Sequence, residues 1–149
     1  RSTGRCRSEL GGADVTRPLT DRDYQSLASF RRELRAFLAF SEQEAKAAGL
    51  TPAHHQLLLA IRGHPGGPPS ITDVADALQV KLHSATELVA RAEAKGLLTR
   101  THDDPDDARR AVLTLTDAGA AKLADLSAVH REEIRRFHDQ MDDILRQLD

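Results

Sequence analysis

The stretch "LLTRTHDDPDDARRAVLTLTDAG", which runs from Leu97 to Gly119, decides the fold of this chain. Two runs with the alternation of β-strands flank a turn crowded with aspartates, and both proline and aspartate favour turn geometry over sheet. We therefore predict one strand over Leu98–His102 and a second over about 110–115. Because a lone two-stranded hairpin is only marginally stable in water, it must pack against the elements beside it.

Immediately before this hairpin, the run "SITDVADALQVKLHSATELVARAEAKGLLTR" (70–100) has the pattern of two helices. Thr72 is predicted to cap a short first helix, a break falls at 79–81, and Gly96 closes the longer second helix. Two helices about three residues apart are typical of a helix-turn-helix. A helix-turn-helix that is followed directly by a β-hairpin is a winged helix, and its hairpin is the wing.

The segments on either side also have helical spacing. Thr20 and Asp23 form a capping-box-like pair before an apolar stripe that Gly49 ends, and Thr51-Pro52 starts the next helix at once. Thr116 is predicted to cap a final helical region with a second long apolar stripe. We therefore predict a mainly α fold.

Composition narrows the class of protein. The length of 149 residues predicts one domain over 19–149 after a flexible arm over 1–18. Aromatic residues make up only 3%, which argues against binding of single strands by base stacking. Cys6 is the only cysteine, which fits an intracellular, cytoplasmic setting, and no apolar run is long enough for a membrane span. No nucleophile elbow, zinc-protease motif or phosphate loop is present, so an enzyme is not expected.

The chain resembles the MarR family of bacterial transcription regulators over about residues 20–148. The run "DVADALQV...SATELVARAEAKGLLTR" and the wing "DDARRAVLTLTDAG", with its Asp-x-Arg pair and its Leu-Thr-x-x-Gly ending, carry the resemblance. The resemblance implies an obligate homodimer whose terminal helices (about 20–48 and 117–148) interlock. It also implies a winged-helix core over about 52–116 that reads a pseudo-palindromic site in double-stranded DNA, as in a ligand-responsive repressor.

The resemblance places His83, Ser84 and Thr86 at the start of the recognition helix, where their polar groups would contact base edges or phosphates. The alternative is that Ser84 caps this helix and the others are merely solvated. We interpret Lys81 and Arg91 as phosphate-binding or structural charges, with pairing between Arg91 and a wing carboxylate left open. The full predicted DNA-binding set is Thr72, Lys81, His83, Ser84, Thr86, Arg91, Arg109 and Arg110.

At the wing tip, Arg109 is predicted to enter the minor groove, whose negative potential suits an arginine. Asp107, two residues earlier, would orient it. Strand alternation places Arg110 on the opposite face, where it would touch the DNA backbone or an acid. A surface hairpin with a solvated, charged tip is the alternative.

The resemblance further implies a small aromatic or phenolic effector between the dimer helices and the winged lobe. Phe37, His54 and His55 are the candidate pocket residues, and core packing with surface imidazoles is the equally open alternative. Adjacent histidines point about 100° apart on a helix, so no metal site and no cofactor are predicted. The rival function is a winged-helix protein-interaction module with no role on DNA, which the acidic wing and the net charge of −2 keep open.

Overall fold

The computed structural model describes residues 16–102 and 111–148. Most of the arm predicted over 1–18 therefore lies outside the described residues. The elements are α1 (Asp21–Ala47), α2 (Pro52–Arg62), α3 (Ile71–Leu78), α4 (Leu82–Ala94), β1 (Leu98–His102), β2 (Ala111–Leu115) and α5 (Asp117–Arg146). The predicted mainly α winged helix-turn-helix with a two-stranded hairpin is confirmed. None of the described helices combines the length and apolarity needed to cross a membrane.

Three of the four predicted helix caps are confirmed. The hydroxyls of Thr20, Thr51 and Thr116 each accept a backbone N–H bond at the start of α1, α2 and α5. The prediction that Thr72 caps α3 is wrong. Ser70 caps this helix, since its hydroxyl accepts from the Asp73 N–H at 3.2 Å while its own N–H donates to the Asp73 carboxylate at 2.9 Å. Both residues fit a capping box, and the sequence pattern alone did not decide between two hydroxyls two positions apart.

The core is organised around α2, which contacts α1, α3, α4, α5 and β2. Leu57 and Leu58 on this helix are fully buried, as are Val89 on α4 and Leu113 on β2. The buried apolar cluster as a whole consists of Ala45, Leu50, Leu57, Leu58, Ile61, Val74, Val89, Ala92, Leu97, Leu98, Leu113, Leu123 and Leu126. The last turns of α1 and the first half of α5 thus join the winged lobe in one core.

The hairpin does pack against its surroundings, as its marginal stability requires. Strands β1 and β2 pair antiparallel from Leu98↔Leu115 to His102↔Ala111. The Leu113 N–H donates to the Pro69 carbonyl at 2.8 Å, and an isolated bridge joins Val112 to Ser70. The loop between α2 and α3 therefore supplies the hairpin with an additional hydrogen-bonding edge, which the proline- and glycine-rich sequence of that loop did not indicate.

Helices α1 and α5 extend from this core as an antiparallel pair. The Phe37 and Phe137 rings lie 5.2 Å apart, while Lys122, near the start of α5, donates to the Ala48 carbonyl at 3.4 Å just after α1. Large apolar side chains remain exposed on this pair. They are Tyr24, Leu27, Phe30, Leu38, Val129, Ile134 and Leu145, each between 38% and 58% exposed. The dimerisation role of the two helices stays a prediction.

Candidate nucleic-acid interface

The turn between α3 and α4 sets the geometry of the helix-turn-helix. Gln79 adopts left-handed backbone angles (φ 55°, ψ 42°), which are uncommon for a residue other than glycine. Its N–H donates to the Asp76 carbonyl at 3.2 Å, and the Val80 N–H donates to the Ala75 carbonyl at 3.0 Å. These bonds close α3, and α4 starts at Leu82 in a new direction.

Burial of one side of α4 determines which residues face solvent. Ala85, Val89 and Ala92 are fully buried. Consequently His83, Ser84 and Thr86 lie on the exposed face of the first two turns. The structure thus brings together the three side chains that we predicted to contact bases.

The polar groups on this face differ in their freedom. Ser84 lies inside α4 rather than at its cap. The cap position belongs to Lys81, which makes no side-chain capping bond, so the alternative in which Ser84 caps the helix is wrong. The Thr86 hydroxyl donates to the Leu82 carbonyl at 2.9 Å, so its remaining lone pairs and its methyl group face outward. This face can accept and donate hydrogen bonds in an arrangement suited to base edges.

Two exposed side chains stand at helix N-termini beside this face. Thr72 lies in the first turn of α3, and Lys81 directly precedes α4. Helix N-termini carry partial positive charge, which favours phosphate. Their position therefore fits contacts with a nucleic-acid backbone, although Thr72 is not the cap that the sequence predicted.

The two arginines near α4 already have partners on that helix. Arg91 lies 3.8 Å from the Glu87 carboxylate. The Arg100 guanidinium lies 3.5 Å from the carboxylate of Glu93, which also accepts the Arg100 backbone N–H at 3.2 Å. Because the Arg91–Glu87 pair is exposed, it contributes little stability and leaves the guanidinium free to exchange partners.

Arg109, Arg110 and Asp107 lie outside the described residues. The strands are described as far as the pair His102↔Ala111, so the predicted contacts of the wing tip stay predictions.

A cavity of about 550 Å³ lies between α1, α2 and α5. Phe37 and His55 line it, whereas His54 does not and instead lines a separate cavity against α4. The three predicted pocket residues are therefore divided between two sites. Helical geometry explains the division, since neighbours on a helix point about 100° apart.

His130 also lines the first cavity, and the prediction of pocket residues missed it. Its Nδ1 lies 2.7 Å from the Leu126 carbonyl and therefore donates, which leaves Nε2 to accept from the Ser41 hydroxyl at 2.9 Å. The His55 ring lies 4.8 Å from the His130 ring. No spacing signal links Ser41 to His130, because they are 89 positions apart and meet only through the packing of α1 on α5.

His54 and His55 are both buried, at 3% and 5% exposure. Burial lowers the pKa of His54, with further lowering by the charges of Lys95 and Arg91. Burial also lowers the pKa of His55, with a smaller contribution from His130. Both imidazoles are therefore held in the neutral form. Within residues 16–102 and 111–148, no group of three or more His, Cys, Asp or Glu side chains is arranged to hold a metal ion.

These two histidines predict a pH-dependent stability. Below about pH 6.5 the unfolded chain takes up protons that the folded chain resists, so the free energy of unfolding should fall as pH decreases through this range. Each histidine contributes at most about 1.4 kcal/mol per pH unit. Urea unfolding at pH 7.5 and 5.5, at one protein concentration, measures the effect. His54→Leu or His55→Leu should flatten the dependence, whereas His138→Gln, at an exposed site on α5, should not. An unchanged slope in both buried variants would contradict the assignment.

The geometry defines a winged helix-turn-helix protein. Residues 48–110 match the model of the MarR family. Over 90 residues the chain is 32% identical to the HTH-type transcriptional repressor MdtR of Bacillus subtilis (strain 168), and the alignment covers 60% of this chain and 56% of that repressor. The chain thus spans little more than half the length of this relative.

Two solved structures are similar in fold. A MepR variant from Staphylococcus aureus, bound to an oligodeoxyribonucleotide, has a TM-score of 0.61 and 23% identity, with 78% of this chain and 83% of that chain covered. BpsR of Bordetella bronchiseptica, whose DNA binding is regulated by 6-hydroxynicotinic acid, has a TM-score of 0.57 and 27% identity, with 72% and 74% covered.

The chain belongs to the MarR family. Since that family consists of transcription regulators, the prediction that the chain is not an enzyme is confirmed.

Proposed function

We propose that this chain is a sequence-specific regulator that binds double-stranded DNA and represses transcription in the cytoplasm. The observation that carries the proposal is the exposed polar face of α4, with His83, Ser84 and Thr86 presented beyond a fully buried opposite side. A major groove admits a helix of this kind and displays a distinct pattern of donors and acceptors for each base pair. The DNA-bound state of the similar MepR variant supports the same use of the fold.

The proposed active species is a homodimer on a pseudo-palindromic operator. The exposed apolar side chains of α1 and α5 form a face that a single winged lobe does not cover. Pairing two copies through this face would remove it from water and set the spacing of two α4 helices. Two-fold symmetry of the dimer would then be mirrored in the operator.

The proposed regulation is release from DNA on binding of a small aromatic or phenolic effector, with no resident cofactor. The cavity of about 550 Å³ between α1, α2 and α5 supports it, because these helices join the dimer face to the winged lobe. Its walls combine apolar side chains such as Phe37 and Leu38 with the polar groups of Ser41 and His130. An effector that binds one lobe spacing more tightly than another would shift the dimer between them.

Selection of bound fragments from the parent genome tests the proposed function. Recovery of one enriched site, with affinity that falls steeply as salt rises through release of counterions, is the expected result. The rival, a winged-helix protein-interaction module, is favoured by the net charge of −2 and by the acidic residues at the wing. Absence of any enriched fragment at low salt would favour that rival.

Substitutions on α4 then test the assigned contacts. His83→Ala and Thr86→Ala should reduce discrimination at particular base pairs of the selected operator by about 1–3 kcal/mol each. Ser127→Ala is a matched control, because the Ser127 hydroxyl makes the same kind of bond to the carbonyl four residues earlier, at 2.7 Å, on the distant helix α5. Affinities for the operator and its single-base variants measure the effect. Equal loss at every sequence would show a phosphate contact instead of base reading.

A further inference from the structure

A second cavity, of about 530 Å³, lies between the start of α2 and the second half of α4. Thr51, Ala53 and His54 line it from the α2 side, and Leu88, Arg91 and Lys95 line it from the α4 side. It is separate from the cavity between α1, α2 and α5, because His55 faces that one and His54 faces this one.

His54 is the unusual group in this cavity. The side chain is 3% exposed, and neither ring nitrogen has a hydrogen-bond partner among the described residues. A buried polar group left without a partner typically costs about 1–3 kcal/mol. An imidazole in this state is a donor that a bound acceptor would satisfy.

The charge around the imidazole is positive. Arg91 and Lys95 line the cavity, and both act on His54 strongly enough to lower its pKa further, after burial. Within the described part of the chain, Lys95 makes no ion pair, and Arg91 has only the exposed Glu87 at 3.8 Å. The cavity also lies at the N-terminus of α2, whose partial positive charge adds to these cations. No acidic side chain lines the cavity.

The remaining walls are apolar and come from Ala53, Leu88 and Ala94. We propose that this cavity binds a small organic anion, a carboxylate on an apolar body. The carboxylate lies between Arg91 and Lys95 and accepts an N–H bond from His54, while the apolar body contacts Leu88. The imidazole is shielded from water in the empty cavity, so the long side chains of Arg91 and Lys95 reorient toward the ligand as it enters.

The test uses the full chain with isotope-labelled histidine and cyclohexanecarboxylate as the probe. Cyclohexylmethanol, with the same ring and no charge, and inorganic phosphate, with charge and no ring, are the two comparison compounds. Saturable binding of the carboxylate alone is expected. The His54 ring signals should titrate at higher pH when the probe is bound, because a nearby anion favours the protonated form. A residue that only fills space would not produce this shift.

Lys95→Gln should weaken binding of the carboxylate about tenfold, as for loss of one charge-assisted contact. Lys95 is exposed, so this change leaves the core intact. Arg146→Gln is the matched control, since it removes one exposed positive charge at the far end of α5 and should leave affinity unchanged. Equal binding of the alcohol, equal binding of phosphate, unchanged affinity in Lys95→Gln or unmoved His54 signals would each overturn the proposal. None of these readouts involves DNA, so they are independent of the proposed function.

Discussion

Gly119→Ala is expected to lower the free energy of unfolding by about 3 kcal/mol or more. A methyl group on this residue would lie 2.0 Å from the Leu97 carbonyl oxygen and 2.9 Å from its carbon. These are backbone atoms, so no side-chain rotation relieves the overlap, and the start of α5 must move. In an open helix the same change would stabilise by about 1 kcal/mol, so the sign of the effect reports the close packing.

The contact is rigid because Thr116 holds both sides of it. The Thr116 N–H donates to the Leu97 carbonyl at 3.1 Å, and the Thr116 hydroxyl donates to the Gly96 carbonyl at 2.5 Å while accepting the Gly119 N–H at 3.1 Å. This explains the Leu-Thr-x-x-Gly ending of the wing. The threonine caps α5 and joins it to the turn after α4, and the glycine allows the approach.

Urea unfolding at a fixed protein concentration measures the effect, since any association would make stability depend on concentration. Gly66→Ala is the comparison variant. Gly66 has a positive φ of 87° but no atom within 4 Å of the added methyl group, so only backbone strain of about 1–2 kcal/mol is expected. A Gly119→Ala protein as stable as the parent would show that the first turn of α5 is not held against Leu97.

Leu27→Glu and Leu145→Glu are expected to raise the dissociation constant of the homodimer about a hundredfold or more. Leu27 is 44% exposed and Leu145 is 54% exposed, and the antiparallel packing of α1 on α5 places both toward the end of the pair that is distant from the winged lobe. In a two-fold interface each substitution occurs twice, so a lost burial of about 1.5–3 kcal/mol per leucine is doubled.

Sedimentation equilibrium at micromolar concentration measures this change, and circular dichroism checks that each variant is folded. Gln25→Glu is the matched control, since it introduces the same charge on α1 at a position that is already polar and exposed. The parent chain and the control should sediment as dimers and the two leucine variants as folded monomers. A folded monomer for the parent chain would refute the proposed dimer.

The elements of the fold could be predicted because their signals are local. Thr20, Thr51 and Thr116 act as caps through backbone groups within three residues, and the strands of the hairpin follow from alternation. Thr72 was misassigned for a local reason too, since two hydroxyls compete for one helix start. The exposed face of α4 was also predictable, because its position depends on the helical period and on the buried alanines and valine opposite.

What the sequence by itself determined is therefore the order of helices and strands, the helix-turn-helix with its wing, and the set of side chains presented at the start of α4. All of these depend on interactions between residues close in the chain. Only the tertiary structure decided which cavity each of the adjacent histidines faces, and that Ser41 meets His130 and Gly119 meets Leu97. These contacts join distant segments, and their positions follow from how helices pack in three dimensions, which no short-range pattern specifies.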